Sequence, residues 1–252
     1  HKLFFIPAED LPSLIDCAYR LVRLRLGDEF LLLNGSLLAS VIGEGPARIK
    51  SLKKSLPPWV IIVAFAGRDI LPEEKVEMQA KDAEDVVRQF GLRMVPSIPD
   101  VSGTDMLKTL LRPSRQPYWK LDYKGGSQDI FFLTTLDKTP GFIRTMRAVA
   151  GELGYPPEDT GIYLQPQHQG VACHCEFVLP FAPGDAGEAA RVKELFARAS
   201  ERMIDQGAFF SRPYGLWAKM VYSRNAQGAN LLKEIKEIFD PNHVLNPGKL
   251  CF

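Results

Sequence analysis

One order of elements, strand-helix-strand-strand-helix-strand, can be read twice along this chain, and it restricts the fold more than any other feature. In the first reading, Lys2–Pro7 is a short apolar strand. Leu11, Leu14, Ile15, Ala18, Leu21 and Val22 then recur at helical spacing, with Asp10 placed to cap the helix and Pro12 in its first turn. Glu29–Leu33 predicts the next strand, and 34–41 and 46–56 predict two short helices inserted before the third. Trp59–Ala66 is a nearly continuous apolar run, which predicts a strand buried on both faces. Pro72 opens a helix with Glu73 and Glu74 in its first turn, where the helix dipole favours acids, and Gly91 follows its end. Leu92–Val95 is expected as the closing strand.

The pattern returns after a proline-rich connection, Pro96–Ser127, in which one helical piece is expected near Asp105–Leu111. Gln128–Leu136 reads as a strand, and Thr139-Pro140 opens a helix with Phe142, Met146, Val149, Ala150 and Leu153 on one face. Gly161–Gln167 and Val171–Pro180 read as strands joined by a turn at His168-Gln169-Gly170. A helix over Ala186–Gln206 and a last strand at Ala208–Ser211 complete the second reading. The order is the ferredoxin-like one. The expected fold class is therefore α+β: tandem ferredoxin-like units, antiparallel sheets with helices on one face, plus a C-terminal helical tail. The expected divisions are 1–95, 96–127, 128–212 and 213–252. Side-by-side and end-to-end sheets are both compatible with the pattern.

Composition excludes several function classes. A net charge of +1 on 252 residues offers no footprint for nucleic acid, and no apolar run is long enough to span a bilayer. Cys17, Cys173, Cys175 and Cys251 are irregularly spaced and make no disulfide framework, so a reducing, cytoplasmic setting is expected. The first residue is His1 rather than methionine, so the chain is expected to be a processed or truncated product. Gly43-Glu44-Gly45 lacks the third glycine of a dinucleotide fingerprint.

The strand at Val171–Pro180 carries the clearest chemistry. Alternation puts Val171, Cys173, Cys175, Phe177 and Leu179 on one apolar face, and His174 and Glu176 on the other. His168, His174 and Glu176 could hold a divalent metal, could face a substrate as acid, base or hydrogen-bonding groups, or could form a structural pair. Cys173 and Cys175 point into the apolar face with no second pair to complete a metal site. Arg212 offers a planar fork for a carboxylate and Tyr214 a phenolic donor. Tyr118, Trp119, Lys120 and Tyr123 in the connection, and Trp217, Lys219, Tyr222 and Arg224 farther on, could line a pocket or an interface.

At the C-terminus, Leu231, Leu232, Ile235, Ile238 and Phe239 recur at helical spacing, and Asp240-Pro241 ends the helix. Val244 and Leu245 are expected to plug an apolar surface before the turn Asn246-Pro247-Gly248-Lys249. This sequence of features resembles the C-terminal signature of FAD-linked oxidases, the superfamily of vanillyl-alcohol oxidase, 4-cresol dehydrogenase and the glycolate oxidase D-subunit. The resemblance is motif-specific only here, although the α+β outline agrees along most of the chain. It implies the substrate-binding cap of a flavoenzyme that passes a hydride from a 2-hydroxy acid or a phenolic or alcohol substrate to FAD. It further implies that the FAD is held mainly by an N-terminal domain, whether in the same polypeptide or separate, with Asn246 and Lys249 nearest the cofactor. A segment such as this would be inactive alone. The D-2-hydroxyacid branch carries a His-x-Gly-x4-His stretch that binds a metal. His168-Gln169-Gly170-Val171-Ala172-Cys173-His174 is one residue shorter and lacks its Asp-Gly-Asn. Where that branch has a Glu-His pair, Arg212 and Tyr214 stand here. A free-standing ligand-binding module, or a subunit docking on a separate flavoprotein, an electron carrier or a second copy, are the other classes left open.

Overall fold

The computed structural model describes residues 1–112 and 118–249; Pro113, Pro117 and Cys251 lie outside the described residues. Six strands form one antiparallel sheet: β1 (Lys2–Ala8), β2 (Glu29–Asn34), β3 (Trp59–Phe65), β6 (Gly126–Thr134), β7 (Gly161–Gln167) and β8 (Ala172–Phe181), in the order β1-β3-β2-β7-β8-β6. The small hairpin β4 (Ser97–Ile98) and β5 (Val101–Ser102) stands apart. The two halves therefore lie side by side. They meet where β2 pairs with β7, Leu32 opposite Leu164 and Leu33 opposite Tyr163.

Each expected closing strand is reduced to one bridge. Val95 exchanges both backbone hydrogen bonds with Phe5 at 2.8 Å, and Phe209 pairs in the same way with Leu133. Pro96 follows Val95 directly and Pro213 lies four residues beyond Phe209. Strand β8 also starts one residue later than Val171, after a turn in which His168 and Gln169 both take positive φ. Val171 consequently sits outside the strand and is 74% exposed, contrary to the alternation read from sequence.

The expectation of helices on one face holds only in part. On one face α1 (Leu11–Arg23), α4 (Pro72–Gln89), α6 (Thr139–Glu152) and α7 (Ala186–Asp205) cover the whole sheet, packing on Phe30, Leu32, Ile61, Val63, Phe132, Cys175 and Phe177. On the other face α2 (Gly35–Ile42), α3 (Pro46–Ser55) and α5 (Gly103–Leu110) cover Leu3, Phe5, Leu33, Val60 and Ile62. The difference between the halves is the α2–α3 insertion between β2 and β3. Between β7 and β8 the second half has only the turn at His168–Gly170. That face of the second half is therefore left half-buried, with Tyr163, His174 and Glu176 on it. Trp59–Phe65 is buried throughout, as expected of a strand covered on both sides.

Asn34 ties the joint together. Its side chain caps α2 by accepting from Leu37 N at 3.0 Å, accepts from Ile162 N at 2.8 Å, and donates to the Thr160 carbonyl at 2.9 Å. Asn34→Ala removes a cap and leaves the buried Ile162 N–H without its acceptor. A loss of about 2–4 kcal/mol is expected in urea unfolding. Asn34→Asp, which keeps both accepted bonds, should lose less; equal losses would show that the acceptor oxygen is not what matters.

Candidate active site

Cross-strand register builds the site. Residues directly opposite on antiparallel strands share a face, so Phe131, Glu176, Tyr163, Leu33 and Val60 form one row across five strands. The adjacent row contains Leu133, His174 and Gln165. The polar end of these rows lies on the part of that face that α2 and α3 leave uncovered, and the apolar end runs beneath α2.

A part-buried charge cluster sits at the polar end. The 3-10 turn Trp119–Leu121 carries Lys120 over the sheet. Its ammonium donates to Asp129 Oδ2 at 2.5 Å and to Glu176 Oε1 at 2.6 Å. The other oxygen of Glu176 meets His174 Nε2 at 3.1 Å. Burial works against the charge of Lys120, but Asp129 and Glu176 outweigh it and raise the ammonium above the ordinary lysine range. Burial would likewise raise the Glu176 carboxyl, yet the His174 hydrogen bond and the Lys120 charge hold it below its ordinary value. The His174 ring stacks on Phe131 at 6.0 Å and tilts against Tyr163 at 5.5 Å, which fixes its plane. Burial, reinforced by Glu176, pushes the Tyr163 phenol up, so it is a neutral donor.

Beside the cluster opens a cavity of about 290 Å³. Lys120, Glu176 and Tyr163 line it on the second-half side, and Leu31, Leu33, Leu37, Val41, Met106 and Leu110 on the first-half side, so it straddles the joint.

Sequence alternation placed His174 and Glu176 together, and they touch. It missed Asp129 and Tyr163, and it gave Lys120 no particular role. Asp129 and Phe131 alternate with the buried Ile130 and Phe132, so the face was legible, but register with β8 was not. His168 is exposed on its turn, apart from the cluster. Among the described residues no group of three His, Cys, Asp or Glu side chains could hold a metal ion, and both oxygens of Glu176 are engaged. The expected set His168, His174 and Glu176 is therefore not assembled, and no metal chemistry is derived from it. Cys173 and Cys175 are buried in the apolar face, and burial drives the Cys173 thiol to about 12, far from a thiolate ligand.

Arg212 and Tyr214 are exposed. Leu133 pairs with His174 on one side and bridges Phe209 on the other, so the segment that carries them leaves the sheet two strands from His174.

The C-terminal helix α9 (Ala226–Phe239) ends at Asp240, as the Asp-Pro pair predicts. Asp240 is buried and accepts from the backbone N–H of Val244 at 2.9 Å and of Leu245 at 3.0 Å, and from Lys236 Nζ. Lys236 foremost, with those backbone donors, holds the Asp240 carboxyl down to about 2 against its burial. The result is a preformed hook. Val244 and Leu245 do not plug a surface of this chain: they are 72% and 59% exposed, beside Ile238 at 74% and Phe239 at 79%. Asn246, at φ 48°, and Lys249 close the last turn, Lys249 N donating to the Asn246 carbonyl at 3.2 Å. Among the described residues no helix is long and apolar enough to cross a membrane.

The sequence pattern of the family described as FAD linked oxidases, C-terminal domain, matches residues 54–250. No curated protein matches the chain. Solved structures that share the fold include three examples. A p-cresol methylhydroxylase with substrate bound has a TM-score of 0.73 at 15% identity, covering 100% of this chain and 52% of its own. A 4-ethylphenol oxidase from Gulosibacter chungangensis in complex with isoeugenol has a TM-score of 0.75 at 15% identity, covering 98% and 53%. An alkyldihydroxyacetonephosphate synthase has a TM-score of 0.56 at 11% identity, covering 98% and 44%. The chain thus spans about half the length of the structures it matches.

Proposed function

Because the chain belongs to the C-terminal domain family of FAD-linked oxidases, we propose that it is the substrate-binding cap of an FAD-dependent oxidoreductase. The substrate, on this reading, is an uncharged alcohol or phenol rather than a 2-hydroxy acid. The single observation that carries the choice is the sharing of Lys120 between two carboxylates. Its ammonium is shared between Asp129 and Glu176, so one positive charge faces two carboxylates. A substrate carboxylate placed against this cluster would meet two carboxylates and one ammonium, which is unfavourable, although Arg112 also lines the cavity at its outer side. A neutral hydroxyl meets no such penalty.

The chain's own residues fit a lid over a flavin, not a grip on one. The hook at 240–249 and the exposed apolar side chains Leu231, Ile235, Ile238 and Phe239 offer a surface for a separate FAD-binding domain, with Asn246 and Lys249 at its end. FAD, when bound, supplies the acceptor for the substrate's hydride. Glu176 selects the His174 tautomer that carries its proton on Nε2, which leaves Nδ1 as the base for the substrate hydroxyl. Phe131 and Tyr163 hold the imidazole plane. Arg212 and Tyr214 are assigned as donors to the substrate oxygen from the segment beyond Phe209.

The test uses the complete protein with its flavin. His174→Ala is expected to slow anaerobic flavin reduction by 4-alkylphenols by about 10²-fold or more, with the flavin spectrum intact. Arg212→Ala should also reduce the rate. Ordinary rates in both variants would remove these residues from the site. Flavin reduction by 2-hydroxy acids, with none by phenols or other uncharged alcohols, would overturn the substrate assignment.

A further inference from the structure

The charge cluster is one positive charge short of balance. Asp129 and Glu176 share the single ammonium of Lys120 at 2.5 and 2.6 Å, and the remaining oxygen of Glu176 meets His174 Nε2 at 3.1 Å. With a neutral imidazole the four groups sum to minus one. With His174 protonated they sum to zero. The groups around the ring are few. Phe131 stacks on it from β6, Tyr163 tilts against it from β7, and Leu133 and Gln165 stand opposite it in the sheet. Burial first, then Glu176 and Glu29, keep the Tyr163 phenol neutral. Arg212 is exposed, on the segment beyond the bridge to Leu133. The charge on His174 therefore answers to Glu176 directly, and to Lys120 and Asp129 behind it.

We propose that Lys120 and Asp129 are positioning residues that set the protonation of His174 through Glu176. Lys120 holds Oε1 of Glu176, which leaves Oε2 turned to His174 Nε2, and its charge offsets one of the two carboxylates. The other carboxylate is then in place for the imidazolium formed when a substrate hydroxyl gives its proton to Nδ1. In that step the O–H bond breaks, an N–H bond forms, and the cluster passes from net negative to neutral. The proposal rests on the reading of His174 as the base for its use in the reaction, while the charge balance follows from the geometry. Removing Lys120 leaves two carboxylates uncompensated, which holds a proton on the ring to higher pH. Neutralising Asp129 removes the surplus carboxylate, which releases that proton at lower pH. A purely structural role for the two residues predicts no such opposition in sign.

The experiment follows two quantities across the neutral pH range in the complete protein with its flavin. One is the nitrogen NMR signal of the His174 ring in histidine-labelled protein, assigned by its loss in His174→Asn. The other is the rate of anaerobic flavin reduction by 4-ethylphenol. Lys120→Met is expected to raise the pH midpoint of the ring signal by about one unit, and the isosteric Asp129→Asn to lower it by about half a unit. Lys120→Arg, which keeps the charge, should stay close to the wild-type midpoint. Midpoints unmoved in both charge variants, or moved in the same direction, would overturn the proposal. Should Lys120→Met fail to fold, Asp129→Asn decides alone, and an unmoved or raised midpoint there overturns it. If the ring midpoints move apart while the pH dependence of flavin reduction stays put, the charge balance stands and the reading of His174 as base falls.

Discussion

Lys120→Met is expected to destabilise the protein by about 1–3 kcal/mol near neutral pH, because it leaves two part-buried carboxylates without their donor. The Lys120 side chain is 11% exposed and lies between carboxylates that are 28% and 15% exposed. Methionine preserves most of the side-chain volume, so the loss is electrostatic rather than a cavity. Its pH dependence gives the mechanism away. In the wild-type protein the Glu176 carboxyl is held below its unfolded value of 4.5. Its stabilising contribution is therefore complete above that value and disappears as pH falls through the folded value. Without Lys120, the burial of Glu176 is less opposed and its carboxyl moves upward. The gap between wild type and variant should be widest above about pH 5 and close in acid as the carboxylates protonate. Urea midpoints from pH 3 to 8 would show this, and a gap constant across that range would mean the ammonium is not what holds the cluster.

The second large effect is expected at Asp159, beside the joint. Asp159 is 8% exposed, and its Oδ1 accepts from Lys53 Nζ at 2.8 Å and from the Tyr123 hydroxyl at 3.0 Å, while Oδ2 meets Lys124 Nζ at 2.9 Å. Lys124 continues to Glu188 at 2.6 Å. One carboxylate thus joins α3, the connection between the halves, the turn before β7 and the start of α7. Burial already pushes the Lys53 ammonium down, and Asp159 supplies its principal compensation. Asp159→Ala should cost about 3–5 kcal/mol, because it strands a buried ammonium and removes the acceptor of a buried phenol. Burial opposes ionisation of Asp159, but Lys53 and Lys124 keep its carboxyl below the model-peptide value of 3.8. The clamp is accordingly complete above that value and fails as pH drops through the folded one. In a double-mutant cycle with Lys53→Met, the two losses should fall short of additive by at least about 1 kcal/mol. Strict additivity would show that Lys53 and Asp159 do not act as one unit.

Much of the fold was legible because it is written at short range. The Asp10 cap is present, with Ser13 N donating to Asp10 at 2.9 Å, and Pro72 opens its helix with Glu73 and Glu74 behind it. The unbroken apolar run at Trp59–Phe65 announced a strand covered on both sides. The two closing strands were over-read. Apolar pattern alone predicts strands at Leu92–Val95 and Ala208–Ser211, but pairing depends on a distant neighbour, and one bridge forms at each. In the site, alternation sufficed for His174 and Glu176, which are two residues apart on one strand. It could not reach Asp129 or Lys120, which are 47 and 56 residues from Glu176 in sequence.

The sequence by itself determined the α+β class, the doubled element order, the apolar and polar faces of β8, and the helix-and-hook ending that marks the family. Each of these depends on periods of two or about 3.6 residues, or on the local chemistry of proline, glycine and caps. Tertiary structure decided the rest. It set the two halves edge to edge through β2 and β7, roofed one face only in the first half, and thereby opened the cavity at the joint. It also brought Lys120 down from the connecting segment between Asp129 and Glu176. Strand register and the docking of one half on the other are contacts between residues far apart in the chain. No local pattern encodes their partner, so they exist only once the whole sheet has closed.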